Sequence, residues 1–221
     1  MIRPLLRIAL ALSPAIAVAP MIAHASPSAT ASGTLRGTLS LTGGSYRGGH
    51  ASGTYFRMIF PGRGRRYFKN PDSSAADKTY TLLAPGRSGG VVPGRFQQHP
   101  HPAFDRSGNS LAGLIVRPQR FAGLRFGVST LPTDPQSHRR VPAPSFRVSG
   151  RRITGQVEAL TADWNRQYFN QGAPKPGGSR PMVTGAYNPR THHFAIAWTS
   201  TIRGGPFNGF TGYWHLQGVV R

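Results

Sequence analysis

The chain has 221 residues, no cysteine, and 27 Lys and Arg against 6 Asp and Glu, for a formal charge of +21. Those numbers exclude thiol catalysis, thiolate metal sites and disulfide stapling, and they point towards acidic partners. Of the basic residues, 24 are Arg and 3 are Lys (Lys69, Lys78, Lys175); a GC-rich genome accounts for that ratio but not for the scarcity of acids.

Met1 to Arg7 holds Arg3 and Arg7 and no acid, and Ile8 to Ala23 is an uncharged, mostly apolar run broken by Pro14 and Pro20. The run is 16 residues long, short of the ~20 that a membrane-spanning helix needs. Ala23-His24-Ala25 then sets small residues where a signal peptidase reads. Residues 1–25 are therefore expected to be a signal peptide cut before Ser26, and the destination secreted. No Arg-Arg pair precedes the run and no Cys follows it, which favours general export over the twin-arginine route or a lipid anchor. No second run could span a bilayer, so no transmembrane anchor is expected. Removing 25 residues leaves 196 with a charge of +19, enough for one domain with a real core. Residues 26–33, SPSATASG, read as a flexible linker and 34–221 as a single β-domain.

Beyond the linker, Gly and Pro interrupt every helical period, while apolar residues alternate with polar ones. The first predicted strand is Thr34–Thr42, with Leu35, Gly37, Leu39 and Leu41 on one face. Ser52–Phe60 follows, with Phe56, Met58 and Phe60 together, then Thr79–Leu83, Leu111–Val116, Phe121–Val128 and Ser145–Ser149. Ile153–Ala159, Met182–Tyr187, Phe194–Trp198 and Phe210–Gln217 complete the set. Strands of this kind predict an all-β fold, an antiparallel β-sandwich or barrel of about 8–11 short strands with no helix beyond two turns. Phe194, Ile196, Trp198, Trp214 and Leu216 are predicted core.

The segments YFKNPDSSAADKTYTLLAPG, FGVSTLPTDPQ, QYFNQGAPKPGGSRP and GGPFNGFTGYWHLQG resemble a family of small, uncharacterised exported proteins of GC-rich Gram-positive bacteria. The likeness covers most of Gly33 to Gly218. It implies a single secreted β-domain and carries with it no activity or site residues.

Motifs with chemical meaning each meet a plainer reading. Gly86-Arg87-Ser88-Gly89-Gly90 matches the Gly-x-Ser-x-Gly of serine hydrolases, but Val91-Val92-Pro93 cannot begin the helix that pattern needs, so a glycine-rich turn is expected. Paired-carboxylate chemistry needs two acids across one bond. Glu158 and Asp163, five apart, fall on opposite faces of an extended segment, and Asp72 and Asp77 read as turn caps. His99-Pro100-His101 with Asp105, and His192-His193, invite a metal but read as solvated surface histidines. No cofactor is expected. Aromatic residues interleave with arginines instead, at Arg65-Arg66-Tyr67, Arg166-Gln167-Tyr168 and around Tyr213. Arg63, Arg65, Arg66, Tyr67, Arg139, Arg140, Arg151, Arg152, Tyr168 and Tyr213 are accordingly the expected polyanion-binding residues. The function expected is non-catalytic binding of anionic polymers: an envelope glycan, a phosphate polymer or extracellular nucleic acid. The alternative is a secreted hydrolase acting on a polysaccharide or ester. It requires at least two of Glu158, Asp163, Asp72, Asp77, His50, His99 and His215 to come together in one pocket, whereas a binding module should gather its arginines on one face and show no such convergence.

Overall fold

The computed structural model describes residues 32–221 apart from Arg63, Arg65 and Pro181, so the expected signal peptide and residues 26–31 lie outside the described residues. Among the described residues every regular element is a strand. In chain order these are β1 (Ser32–Thr34), β2 (Leu39–Leu41), β3 (Ser45–Arg47), β4 (His50–Ser52), β5 (Tyr55–Ile59), β6 (Thr81–Leu82), β7 (Gly90–Val91) and β8 (Gln119–Phe121). They continue as β9 (Leu124–Thr130), β10 (Ser145–Ser149), β11 (Arg152–Gln156), β12 (Leu160–Trp164), β13 (Gln167–Asn170), β14 (Val183–Tyr187), β15 (His193–Thr201) and β16 (Thr211–Val220).

The all-β, antiparallel reading holds. Ten strands form one curled sheet in the order β1-β10-β11-β14-β15-β16-β2-β7, with β5 and β6 continuing from β16. Four more form the sheet β13-β12-β9-β8, and β3 and β4 make a separate hairpin. The larger sheet curls as a half-barrel with the smaller one packed across its inner face, sandwich-fashion. β16 is the fork of the large sheet: Thr211–His215 pairs with β5, and Gly218–Val220 with β2. Gly218 is needed there, because a Cβ would overlap the Ser40 carbonyl oxygen. The chain end closes on the first loop, where the Thr38 N–H donates to Arg221 O at 2.6 Å and the Arg221 N–H to Thr38 O at 2.9 Å.

Alternation puts Phe194, Ile196 and Trp198 of β15 and Trp214 and Leu216 of β16 inside, all buried as predicted. They meet Phe121, Phe126, Val128, Leu160 and Trp164 of the smaller sheet. Trp198 and Trp214 stack at 6.0 Å with planes 9° apart, and Phe56 meets Phe121 edge-on at 5.8 Å. A buried indole needs an acceptor. Trp198 Nε1 donates to Gln171 O at 2.9 Å, Trp214 Nε1 to Gln171 Oε1 at 3.2 Å, and Trp164 Nε1 to Phe121 O at 2.9 Å. Gln171, at 1% exposure, therefore serves both tryptophans of the large sheet. The apolar void left between the sheets is about 40 Å³, far below the ~300 Å³ of a ligand pocket.

The sixteen described strands exceed the eight to eleven expected because turn chemistry cuts the predicted runs. Ala122 and Gly123 adopt φ of 49° and 87°, folding Phe121–Val128 into the β8–β9 hairpin. Gly37, at φ 89°, breaks Thr34–Thr42 into β1 and β2. Leu111–Val116 is no strand at all. Its carbonyls at Gly113, Leu114 and Ile115 instead receive the N–H groups of Arg87, Ser88 and Gly86. At the other boundary, Ser32 and Gly33, read as linker, pair with Ser149 and Val148 of β10.

Candidate binding face

The solvent side of the large sheet follows from the same alternation. One row of outward residues crosses six strands without a break. Arg147 of β10 faces Thr154, then in turn Thr184, Ala197, His215 and Tyr55 of β5. A flanking row runs Arg152, Ala186, Ala195, Gln217, and the opposite one Thr199, Tyr213, Arg57. At about 4.8 Å per strand, Arg147 and Tyr55 stand roughly 24 Å apart. Between them Thr154, Thr184 and Ala197 make a floor of small side chains as far as His215. Arg152, Arg180 and Met182 surround a hollow at the arginine end.

Tyrosines gather at the other end. Tyr55 stacks on His215 at 4.7 Å, meets Tyr80 edge-on at 5.1 Å and lies 6.3 Å from Tyr213. Tyr46 is 5.6 Å from Tyr80. The Arg57 guanidinium carbon sits 3.2 Å from the Tyr67 ring centroid and 4.0 Å from that of Tyr80, a cation held by two π-faces. Its Nη2 donates to Thr79 Oγ1 at 2.8 Å, and that hydroxyl donates to Asp77 Oδ2 at 2.9 Å. His215 Nδ1–H donates to Gly53 O at 2.8 Å and so fixes the ring against Tyr55. Burial first, then the neighbouring Tyr213 and Tyr80, push the Tyr55 phenol up to about 12, so it remains a neutral donor. Rings braced in this way form a rigid stacking surface.

Carboxylates around the face are few, Asp77 beside Thr79 and Arg57 being the one at the tyrosine end. Among the described residues Arg120 is the arginine that meets a carboxylate, Asp72 at 3.4 Å. Arg66, Arg139, Arg140, Arg147, Arg151 and Arg152 are exposed and make no ion pair among the described residues.

The residues expected from sequence are divided by the fold. Arg66, Tyr67 and Tyr213 belong to the tyrosine end, where Arg66 and Tyr67 also line a groove with Phe60 and Lys69. Arg152 lies at the arginine end, and Arg151 precedes it in the β10–β11 turn. Arg139 and Arg140 sit in the β9–β10 loop, outside the strands that carry the row. Tyr168 is on the smaller sheet. Arg63 and Arg65 lie outside the described residues. Sequence reasoning missed Tyr55, Arg57, Tyr80 and Arg147 and named His215 only for the hydrolase reading. Outward alternation from the buried Phe56, Met58 and Trp214 was the signal that could have found Tyr55, Arg57 and His215.

Tyr168 belongs to a second cluster. His99 Nδ1 lies 3.2 Å from Asp163 Oδ2, and the Ser129 hydroxyl is 3.2 Å from both Asp163 oxygens. Asp163 is fully buried, and burial pushes its carboxyl up against the lowering effects of His99 and Ser129. Tyr168 stacks on the imidazole at 5.0 Å. One acid and one histidine of the hydrolase set do converge here, a meeting not expected of a binding module. Nucleophilic catalysis also needs a hydroxyl bonded to the imidazole, and among the described residues none is; Ser129 points to Asp163.

The reading of solvated histidines fails for His99, whose side chain is 11% exposed and held on Asp163; the remaining motifs follow their plainer readings. Gly86–Gly90 is a turn leading into β7 with no helix after it. Asp105 caps its own loop through Ser107 N and Asn109 N, both at 2.9 Å. His192 Nδ1 meets the Tyr187 hydroxyl at 2.9 Å. No group of three metal-ligating side chains occurs among the described residues. No helix among them is long and apolar enough to cross a membrane. In comparison with known proteins, no family model, no curated protein and no solved structure matches the chain.

Proposed function

We propose that the chain is an exported, non-catalytic binding domain that holds anionic polymers across the solvent face of its large sheet. The observation that supports this is the unbroken row from Arg147 to Tyr55, with free guanidinium groups at one end, braced tyrosines at the other, and a small-side-chain floor between. A polymer lying along that row sets its ring units on Tyr55, Tyr80 and Tyr213 and its charges on Arg147 and Arg152. Acidic glycans, phosphate polymers of the envelope and extracellular nucleic acid all fall within this chemistry. Titration calorimetry with polygalacturonate and with poly(dT), at about 50 and 300 mM salt, tests it. Binding that weakens steeply with salt and is lost in Tyr55→Ala with Tyr213→Ala supports the face, whereas binding indifferent to both overturns it. The hydrolase reading ranks second on the His99–Asp163 pair. Release of reducing ends or of ester acid, abolished by His99→Ala, would bring it forward.

A further inference from the structure

Beside the tyrosine end, the hairpin that leaves β5 carries a groove of about 620 Å³. The Phe60 N–H donates to Arg66 O at 2.9 Å and the Phe68 N–H to Met58 O at 2.8 Å, which closes the hairpin. Phe60, Arg66, Tyr67, Phe68, Lys69 and Thr79 line the groove. Phe60 continues the face of Phe56 and Met58 beyond the edge of the core, so that it is 36% exposed while they are buried. Its ring is nonetheless braced. Phe210 lies 4.9 Å and Phe68 6.2 Å from its centroid, and Phe68 in turn rests on Phe121 and Phe207. The groove therefore offers a fixed aromatic surface open to solvent.

The polar groups of the groove are nearly all donors. Arg66 and Lys69 are exposed, and the Arg66 guanidinium carbon stands 5.7 Å from the Phe60 centroid. No carboxylate or carboxamide lines the groove among the described residues. Of the two lining hydroxyls, that of Thr79 already accepts from Arg57 and donates to Asp77, which leaves that of Tyr67. Sugar hydroxyls need acceptors for their hydrogens as well as donors. A phosphodiester presents acceptors alone, and a pyrimidine base presents a flat ring edged by carbonyl oxygens. Rings and donors together fit a nucleotide, and they leave the hydroxyls of a uronate short of partners.

We propose that this groove binds single-stranded nucleic acid, with one base seated against Phe60 and Phe68 and the flanking phosphates on Arg66 and Lys69. The groove joins the tyrosine end through Arg57, whose guanidinium lies on both Tyr67 and Tyr80. Beyond the groove the strand follows the sheet face, and in that respect the inference rests on the sheet-face reading. What the groove adds is a preference. An acidic glycan gains charge contacts along the row, whereas nucleic acid gains those and a stacked base.

The test is fluorescence anisotropy with three labelled polymers: a short thymidine oligomer, an abasic oligomer of the same length and phosphate count, and polygalacturonate. The thymidine oligomer should bind about tenfold tighter than the abasic one, the contribution of a stacked base. Phe60→Leu keeps an apolar side chain but removes the ring. It should erase that advantage and leave the abasic oligomer and polygalacturonate within about twofold of their starting affinities, and Phe60→Trp should retain it. Arg66→Gln with Lys69→Gln should weaken both oligomers alike and reduce the slope of log affinity against log salt by about 1.4. Equal binding of the two oligomers to the unmodified domain overturns the proposal. So does a thymidine advantage that survives Phe60→Leu, or a Phe60→Leu loss as large for polygalacturonate as for thymidine. Failure of the sheet face reads differently, as polygalacturonate binding unmoved by Arg147→Gln with Arg152→Gln while the thymidine advantage persists.

Discussion

Replacing Lys175 by Met gives the sharpest stability experiment in the domain, because one buried amine dominates it. An ordinary lysine titrates near 10.5, and Lys175 in the fold near 8, lowered by burial and then by Arg203. The unfolded chain therefore binds the extra proton between about pH 8 and 10.5, and stability rises with pH across that window. The gap is worth about 3 kcal/mol at roughly 1.4 kcal/mol per pH unit. For a domain of this size that amounts to a Tm difference on the order of 5–10 °C. Urea or thermal denaturation of both proteins from pH 6 to 10.5 isolates the effect, since other groups titrate alike in each. The difference, unmodified minus Lys175→Met, should be flat up to about pH 8 and then climb in favour of the unmodified domain. A difference that stays flat to pH 10.5, or falls, refutes the reasoning and returns Lys175 to solvent.

Gln171→Leu removes the acceptor of Trp214 Nε1 but leaves Trp198 its backbone carbonyl, so urea titration should show a loss of about 1–3 kcal/mol. Asp163 is raised by burial, so its contribution is fully present below the ordinary Asp range and is lost as pH rises through the folded value. The Tm of the unmodified domain should therefore fall relative to Asp163→Asn from pH 4 to 8; a rise would mean that the His99 pairing outweighs burial. Gly218→Ala drives a Cβ into the Ser40 carbonyl at the β16 fork and should cost about 3 kcal/mol or more. Gly33→Ala, with open space around it, should change thermal stability by less than about 0.5 kcal/mol.

What the sequence made legible was whatever alternation alone decides. Phe194, Ile196, Trp198, Trp214 and Leu216 lie inside because period two is local and the sheet needs no other information to sort its faces. Strand boundaries were less legible: Gly123 alone marks the β8–β9 turn, and Ala122 beside it, also at positive φ, gives no such signal. The binding face was only partly visible. Arg66, Tyr67 and Tyr213 stand out as basic and aromatic neighbours in the chain. Arg147 and Tyr55 are 92 positions apart and share a row only through the register of five strand pairs. The His99–Asp163 contact, 64 residues apart, depends likewise on tertiary packing.

The central claim is that one face of the large sheet, and not the overall charge, binds anionic polymers. Fluorescence anisotropy of labelled polygalacturonate measures it directly when two charge-matched variants are compared. One removes Arg147 and Arg152 from the row as Gln; the other removes Arg117 and Arg125 in the same way, from the β8 approach and the smaller sheet. The account predicts a loss of about tenfold in the first, a shallower salt dependence by about two ions, and less than twofold change in the second. Equal losses in both would contradict it, because the charge would then be acting as a whole and the face would have no special part.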